Sequence, residues 1–427
     1  MWLRKIRYLT ELLRNQWLKP SELAKIQQKR LRAIIKHAYS NIEFYHRKFK
    51  LAGVKPEDIK TIKDLPKIPV TKRSEVKEGF LTGKIFKKTL DFSKCHYAKT
   101  AGSSGEPVTV LLDEKAEDFQ KAVAVRSFME AGGRFHDKWA MITSPQRMLL
   151  KKRWFQRFGL LSPVYLSVFD SPERHVAVLN RLKPDVIEGY ASCVWLLART
   201  IAKEGIDSIQ PRVIISSAEV LSEKARKFIN SVFSLEMFDQ FGCVEIGRSA
   251  WECEEHHGYH MDSDALAMEF VDDGEHVAFG ERGHLLYTSL FNYAMPLIRY
   301  DVGDICVPTD EQCPCGRGLP LIKRIEGRAF DFIVTPSGKV FSGGLLMIIM
   351  REIPGVAQYK VVQETKDKFS VWIVKDPHSF SSDPISQVQE QIKKHLGDVK
   401  VDVEVVEDIP KDKSGKHRWI VSKVKLK

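Results

Sequence analysis

The first 50 residues carry apolar side chains at helical spacing. Leu3, Ile6, Leu9 and Leu13 recur every three or four positions, and lysine and arginine occupy the other faces. This pattern predicts an amphipathic helix that packs on its own domain. The alternative is a basic helix that lies on an anionic membrane, which would make the protein membrane-peripheral.

Between residues 95 and 300, short apolar runs alternate with helical segments. WAMIT (139–143), PDVIEGY (184–190) and PRVIISSAE (211–219) are typical of buried strands that end in polar turns. ASCVWLLARTIAKEG (191–205) predicts a helix that ends at a glycine. Strand–helix alternation predicts an α/β domain with mostly parallel sheets, and such sheets bind ligands beyond the carboxyl ends of their strands.

The pattern changes again after residue 330. Pro336-Ser337-Gly338 predicts the turn of a hairpin, and YKVVQETKDKFSVWIV (359–374) predicts two alternating strands. An amphipathic helix (384–396) and a further strand (399–409) follow. We therefore predict two domains: a large α/β domain, 1–328, whose first 50 residues are a helical lead-in, and a small α+β domain, 329–427.

Composition excludes several classes of protein. The chain has 427 residues and a net charge of +12, but its basic residues are spread out, which argues against a nucleic-acid partner. Charges at positions 4, 5 and 7 interrupt any secretory signal, and no apolar run approaches the roughly 20 residues of a membrane span. Seven cysteines, an odd number, fit a reducing cytoplasm in which they are thiols or metal ligands.

The segment TAGSSGEP (100–107) predicts a loop that could hold phosphate. Its glycines permit close backbone approach, its hydroxyl residues add donors, and successive backbone N–H groups can cradle an anion. Such loops usually carry a lysine, but here Glu106 occupies the expected place. Taken alone, the segment fits an ordinary turn better than a phosphate loop.

Five further segments follow in a fixed order: IISSAEVLSE (214–223), FDQFGCVEIG (238–247), IRYDVGDI (298–305), IEGRAFDFI (325–333) and IPKDKSGKHR (409–418). Together with the loop at 100–107 they resemble the core motifs of the adenylate-forming superfamily. Within it, the chain is most similar to the phenylacetate–CoA ligase branch, and there to the capsular-polysaccharide-associated and coenzyme-adenylating members. The N-terminal segment 26–49 shares in this resemblance.

The resemblance implies ATP-dependent adenylation of a carboxylic acid, aryl or otherwise apolar, followed by transfer to CoA or another acceptor. It implies two catalytic residues: Glu245, which would hold Mg²⁺, and Lys416, which would contact the α-phosphate. The implied ATP-binding residues are Thr100, Gly102, Ser103, Ser104, Gly105, Ala218, Glu219, Asp239, Gln240, Phe241, Gly242, Asp304 and Arg328. Cations suit this reaction because a carboxylate must attack an anionic phosphate. Capsule-associated relatives imply a setting in surface-polysaccharide biosynthesis.

Two departures from the family pattern support other hypotheses. Glu106 replaces a lysine, and Phe330, followed by Asp331, stands where the hinge residue of the mobile domain is expected. These departures favour a degenerate, non-catalytic adenylate-binding scaffold. An RNA-binding zinc protein is a third hypothesis, but aromatic–basic stacking motifs are missing from the sequence. The oligomeric state is not predicted.

A candidate zinc site stands apart from these motifs. Cys313 and Cys315 form a C-P-C knuckle, and Cys253 with a histidine would complete a Cys₃His set typical of structural zinc. The spacing resembles a metal site of zinc-bearing members of the branch. We predict His256 as the fourth ligand because C-x-x-H is a short local clip. His257 and His260 are alternatives, and His260 is also a candidate for the acceptor pocket.

Overall fold

The computed structural model describes residues 2–100, 108–148, 154–328, 332–338, 340–342, 346, 349–350, 353–375, 384–410 and 418–424. The chain forms two compact units. One contains residues 1–221 and 228–325, and the other contains residues 222–227 and 326–427. The division after residue 328 stays a prediction.

Ten helices lie in the described part of the chain. They are α1 (Trp2–Asn15), α2 (Pro20–Asn41), α3 (Glu43–Leu51), α4 (Arg73–Leu81), α5 (Glu114–Glu130), α6 (Pro145–Met148), α7 (Pro172–Leu182), α8 (Ala191–Glu204), α9 (Glu223–Phe233) and α10 (Pro384–Leu396). Four short 3-10 helices span Pro56–Asp58, Ile62–Lys67, Phe92–Lys94 and Trp154–Phe158.

The strands of the large unit are β1 (His96–Lys99), β2 (Thr109–Leu112), β3 (Trp139–Thr143), β4 (Val164–Ser167), β5 (Val186–Tyr190), β6 (Val213–Ser217), β7 (Phe238–Cys243), β8 (Gly247–Trp251), β9 (Tyr259–Met261), β10 (Leu266–Asp272), β11 (Glu275–His276), β12 (Gly283–Ser289), β13 (Tyr300–Thr309) and β14 (Leu321–Arg328). The strands of the small unit are β15 (Phe332–Val334), β16 (Val340–Ser342), β17 (Val356–Thr365), β18 (Lys368–Lys375), β19 (Lys400–Val405) and β20 (Ile420–Ser422).

Twelve strands form one mixed sheet in the order β11-β10-β12-β13-β14-β9-β8-β7-β6-β5-β3-β4. Strands β3 to β7 pair in parallel, as the strand–helix alternation predicts. From β7 onward the pairing becomes antiparallel, so the parallel region is shorter than predicted. The reason is local: only three residues separate β7 from β8, which permits a hairpin but not the crossover that a parallel pair requires.

Helix α1 packs on α5 within the large unit, as its apolar spacing predicts. Leu12 is fully buried, and the rings of Tyr8 and Phe119 lie 5.1 Å apart in an edge-on contact. Leu3 is 81% exposed, however, so membrane contact through this helix stays a prediction. Among the described residues, no helix is long and apolar enough to cross a membrane.

The elements predicted for the small unit are present. Strands β15 and β16 pair as a hairpin, in which the N–H of Gly338 donates to the carbonyl of Thr335 over 2.9 Å. Strands β17 to β20 form a second sheet in the order β19-β18-β17-β20. Helix α10 buries Val388, Ile392 and Leu396 in the same apolar cluster as the inner side chains of this sheet.

Candidate active site and metal centre

Two of the predicted adenine-binding residues directly follow the carboxyl end of β6. Ala218 has a φ of 70°, which is strained for a residue with a Cβ, and Glu219 follows it. One carboxylate oxygen of Glu219 accepts from the backbone N–H of Ser192 at 2.8 Å, at the start of α8. A negative charge at a helix N-terminus is favourable, so α8 helps to fix Glu219 beside this turn.

Asp239, on the adjacent strand β7, is almost completely buried and hydrogen-bonded. Its carboxylate accepts from the hydroxyls of Ser216 (2.6 Å) and Tyr259 (2.8 Å), and its N–H donates to Glu252 (2.7 Å). The side-chain amide of Gln240, also predicted to bind ATP, donates to the carbonyl of Ser127 at 2.8 Å. Gln240 therefore secures α5 to the sheet, while Asp239 is held rigidly at the strand end.

The hairpin between β7 and β8 positions Glu245, the predicted magnesium ligand. A Cβ on Gly242 would lie 2.1 Å from the carbonyl oxygen of Gly247, so only glycine permits this close approach of the two strands. Gly247 has a φ of 89°, which also favours glycine. Glu245 lies in the turn between them and is only 5% exposed, while Phe241 is half-buried.

Arg73, at the first position of α4, joins Glu245 to Thr100. Its Nη1 donates to Oε1 of Glu245 at 3.0 Å, and its Nη2 donates to Oγ1 of Thr100 at 2.7 Å. The same Thr100 oxygen accepts from the N–H of Val108 at 2.9 Å, and the Tyr300 hydroxyl donates to Oε1 of Glu245 at 3.0 Å. We call Arg73, Thr100, Glu245 and Tyr300 the arginine cluster. It unites two residues that the sequence analysis assigned to ATP and Mg²⁺.

The remaining predicted ATP residues are less fully described. Asp304 is 5% exposed and follows an irregular stretch of β13, where the register against β12 shifts after Asp301. Such bulges re-aim side chains near functional sites. Arg328 ends β14. Gly102, Ser103, Ser104, Gly105, Glu106, Phe330, Asp331 and Lys416 lie outside the described residues, so their assignments remain proposals.

Cys253, His260, Cys313 and Cys315 form a separate, buried group, and their ligand atoms all lie within 4.8 Å of one another. The sulfurs of Cys253 and Cys313 are 3.5 Å apart, and Nε2 of His260 is 3.4 Å from the sulfur of Cys315. A disulfide is excluded because its sulfurs would be about 2 Å apart. Two thiolates on tetrahedral zinc lie about 3.7 Å apart, given a Zn–S bond of about 2.3 Å.

The chemistry of this Cys₃His group also fits a cation. Burial raises the pKa of the thiols of Cys253 and Cys313 and lowers the pKa of His260 to about 4. Without a metal, the thiols of Cys253 and Cys313 and the ring of His260 are therefore neutral, and buried thiolates at Cys253 and Cys313 would be costly. A bound zinc ion offsets that cost, since it stabilises thiolates and accepts neutral imidazole. The residues present fit zinc, and its binding stays a proposal.

His256 does not belong to this group, whose histidine is the alternative, His260, so the geometry favours His260 and the zinc ligand stays a proposal. Nδ1 of His256 lies 3.5 Å from the Glu252 carboxylate, and its ring packs on Phe238 with centroids 4.9 Å apart. His257 pairs with Glu311 at 3.1 Å. The C-x-x-H spacing is local, and it does not bring His256 into the group of cysteines in the fold. His260 reaches the cysteines because β9 pairs with β14, which places His260 opposite Leu321.

The Cys₃His group secures the connection between α1 and α2. The N–H of Gly318 donates to the carbonyl of Gln16 at 2.8 Å, and a Cβ on Gly318 would lie 1.9 Å from the carbonyl oxygen of Leu18. The guanidinium of Arg317 lies 4.6 Å from the centroid of the Trp17 ring. The group therefore lies where the knuckle meets the N-terminal helices, as expected of a structural site.

Comparisons with known proteins decide the family. A family model described as the CapK C-terminal domain matches residues 333–423. The phenylacetate-coenzyme A ligase of Thermus thermophilus is 26% identical over 359 residues, which cover 80% of this chain and 78% of that protein. Protein CapK of Staphylococcus aureus is 22% identical over 419 residues, which cover 95% and 90%. These similarities confirm the predicted resemblance to the phenylacetate–CoA ligase branch of the adenylate-forming superfamily.

A solved structure confirms the fold class. The crystal structure of 2-hydroxyisobutyryl-CoA ligase in complex with 2-HIB-AMP matches with a TM-score of 0.78 at 20% identity, over 96% of this chain and 91% of that one. The predicted family is confirmed, and the chain is an AMP-forming ligase by class. The roles of individual residues remain proposals.

Sequence reasoning missed two members of the arginine cluster in this ligase, Arg73 and Tyr300. Tyr300 is the first residue of β13 and lies inside segment 298–305, and that motif was a usable signal. Arg73 gave a weaker signal, an arginine at the first position of a helix, where the helix dipole disfavours a cation. An arginine at this unfavourable position indicates that its side chain makes contacts outside the helix.

Proposed function

We propose that this ligase adenylates a carboxylic acid with ATP, releases pyrophosphate, and transfers the acyl group to CoA. The observation that carries the proposal is the arginine cluster, which brings the base of the glycine-rich loop (Thr100) to the carboxylate of the FGCVE motif (Glu245). Resemblance to the phenylacetate–CoA ligase branch supports both half-reactions. Glu245 follows the carboxyl end of β7, the last strand of the parallel part of the large sheet, where such sheets bind ligands.

The first half-reaction forms a bond between a carboxylate oxygen of the acid and the α-phosphorus of ATP and breaks the bond to pyrophosphate. Both partners are anionic, so fixed positive charge and in-line placement supply most of the rate enhancement. Thr100 would donate to a phosphate oxygen, and Asp239 and Asp304 would accept from adenine and ribose. Lys416 would stabilise charge at the α-phosphate.

Two metal ions are proposed, one in the nucleotide site and one in the separate Cys₃His group. Mg²⁺, when bound, neutralises phosphate charge, and Glu245 would hold it. The fit rests on Oε2 of Glu245, which accepts no hydrogen bond from the described residues, whereas Oε1 accepts two. Zinc would be held by Cys253, His260, Cys313 and Cys315 and would have a structural role, because four protein ligands leave no open position for substrate.

The acid is proposed to be aryl or otherwise apolar, with surface-polysaccharide biosynthesis in the cytoplasm as the setting. The support comes from the names of relatives, phenylacetate-coenzyme A ligase and Protein CapK. Aromatic residues give little further support: Phe128 is 4% exposed and packs on Trp139, so it is a core residue.

ATP–pyrophosphate exchange tests this function. The purified chain is incubated with Mg²⁺, labelled pyrophosphate, and aryl, fatty, hydroxy and amino acids in turn. We expect exchange with one class of acid, and loss of free CoA thiol when CoA is added with that acid. ATP binding without exchange for any acid would contradict the proposal and favour the adenylate-binding scaffold. Exchange without loss of CoA thiol would refute CoA as the acceptor.

A further inference from the structure

Segment 101–107 contains no lysine or arginine, although it is the proposed phosphate loop. It adds a negative charge through Glu106, and Glu245 adds another. Bringing a triphosphate to two carboxylates is unfavourable, since like charges about 4 Å apart repel by about 4 kcal/mol at an effective dielectric of 20. A cation close to Thr100 and Glu245, in addition to Mg²⁺ and Lys416, would offset this repulsion.

Arg73 is a cation of suitable position and reach. Its side chain is 29% exposed, whereas that of Glu245 is 4% exposed, so the guanidinium lies at the open side of the pair. It contacts Thr100, the residue directly before the loop, and Glu245 through separate nitrogens. Arginine suits such a role because its planar fork can hold two acceptors at once.

The hydrogen bond from Arg73 helps to determine how the Thr100 hydroxyl can interact with a ligand. A hydroxyl has two acceptor positions and one hydrogen. Arg73 and the N–H of Val108 both donate to the Thr100 oxygen, at 2.7 and 2.9 Å, which fills both acceptor positions. The Thr100 hydrogen therefore points away from these donors and is left to donate to an acceptor such as a phosphate oxygen.

The same arginine determines which carboxylate oxygen of Glu245 is available to a metal ion. Arg73 and Tyr300 both donate to Oε1, each at 3.0 Å. Oε2 accepts from neither residue, and this oxygen is the one free to bind a metal ion.

We propose that Arg73 is a positioning residue of the nucleotide site that replaces the missing loop lysine. It orients the Thr100 hydroxyl toward phosphate, directs Oε2 of Glu245 toward Mg²⁺, and adds positive charge beside the triphosphate. This inference rests on the proposed use of ATP. It predicts a selective effect: Arg73 matters for the β- and γ-phosphates with their metal ion, and not for the AMP portion.

Nucleotide binding by the full-length chain, measured by calorimetry without acid substrate, tests the proposal. ATP and AMP are titrated into wild type, Arg73→Met, Arg73→Lys and the control Lys72→Met, with Mg²⁺ and with EDTA. Lys72 precedes Arg73 and is an exposed cation outside the arginine cluster. Thermal unfolding of each variant shows whether it is folded.

We expect Arg73→Met to weaken ATP binding in Mg²⁺ by about 10- to 100-fold, the range for hydrogen bonds to charged groups. AMP binding should change less than about twofold. Arg73→Lys should be intermediate, because it keeps the charge but not the fork. Lys72→Met should resemble wild type. The double variant Thr100→Val/Arg73→Met should bind ATP only slightly more weakly than either single variant, because both substitutions break the same Arg73–Thr100 hydrogen bond.

Three outcomes would overturn the proposal. Equal weakening of ATP and AMP would mean that Arg73 only supports the fold. Unchanged ATP binding in Arg73→Met would show that Arg73 has no role in nucleotide binding. Tighter Mg²⁺-dependent binding in Arg73→Met would mean that the guanidinium blocks the metal site. If Arg73→Met fails to fold, Arg73→Lys carries the comparison. A wild-type chain that binds no ATP would refute the proposed function itself, and this inference with it.

Discussion

Two polar clusters of the large unit, the Cys₃His group and the arginine cluster, differ in whether they leave polar atoms available to a substrate. In the Cys₃His group, four ligand atoms face one another within 4.8 Å, and three of the four residues are buried. In the arginine cluster, the Thr100 hydrogen and Oε2 of Glu245 point away from the described partners, and Arg73 is partly exposed. A closed set is typical of structural metal sites, and an open set is typical of sites that bind substrate.

Because one cluster is closed and the other is open, substitutions in the two clusters should change different properties of the protein. Changes in the closed group should act on folding, because its members hold the α1–α2 connection through Gly318 and Arg317. Changes in the open cluster should act on nucleotide binding with the fold preserved. The following variants test this separation, from the largest expected effect to the smallest.

Cys313→Ser should remove zinc and destabilise the large unit. Structural zinc contributes about 10–16 kcal/mol in small zinc domains, and we expect a fraction of this here, about 3–5 kcal/mol. Zinc content, about one ion per chain in the wild type, should fall toward zero, and the unfolding midpoint in urea should fall with it. Cys95→Ser is the matched control, since Cys95 lies outside the group. Unchanged zinc content in Cys313→Ser would refute the site.

Lys416→Ala should abolish adenylation while leaving the fold intact. Removal of one donor at a developing charge typically costs 100- to 1,000-fold in rate, or about 2.7–4 kcal/mol. ATP–pyrophosphate exchange measures the rate, and the urea midpoint should match that of the wild type. Lys413→Ala, in the same motif, is the control. Exchange near the wild-type rate in Lys416→Ala would show that the lysine was wrongly assigned.

Gly242→Ala should affect both stability and chemistry, since it disturbs the hairpin that positions Glu245. The new Cβ would lie 2.1 Å from the carbonyl oxygen of Gly247, so the strands must move. We expect a loss of about 1–3 kcal/mol in stability, together with weaker Mg²⁺-dependent ATP binding. Cys243→Ala, next in the hairpin, should do neither. Wild-type ATP binding in Gly242→Ala would show that the hairpin geometry does not matter to the site.

Local patterns of the sequence predicted much of the fold. The strands at 139–143, 186–190 and 213–217, the helix that ends at Gly205, and the hairpin around 336–338 were all evident, because periodicity and turn residues act over a few positions. The end of parallel pairing at β7 was less evident. It depends on a three-residue connection whose meaning appears only once β8 is recognised as a strand.

The candidate site was predictable where one motif carries the residue, and not where distant segments meet. Cys313 and Cys315 were found from their spacing. Arg73 was missed because its partners, Thr100 and Glu245, lie far away along the chain. The choice between His256 and His260 likewise depended on the pairing of β9 with β14, which no local spacing reveals.

The smallest effect is expected for His256→Asn, and it tests that correction directly. His256 has a φ of 47°, a left-handed conformation that asparagine adopts readily, so the backbone should be kept. The change removes a ring contact with Phe238 and a weak ion pair with Glu252, which together should cost about 1 kcal/mol or less. Zinc content should stay at the wild-type level. His260→Asn, its matched partner, should lose zinc as Cys313→Ser does. Loss of zinc from His256→Asn with retention in His260→Asn would restore the C-x-x-H ligand, and β9 would then have to release His260 from the cysteines when the metal binds.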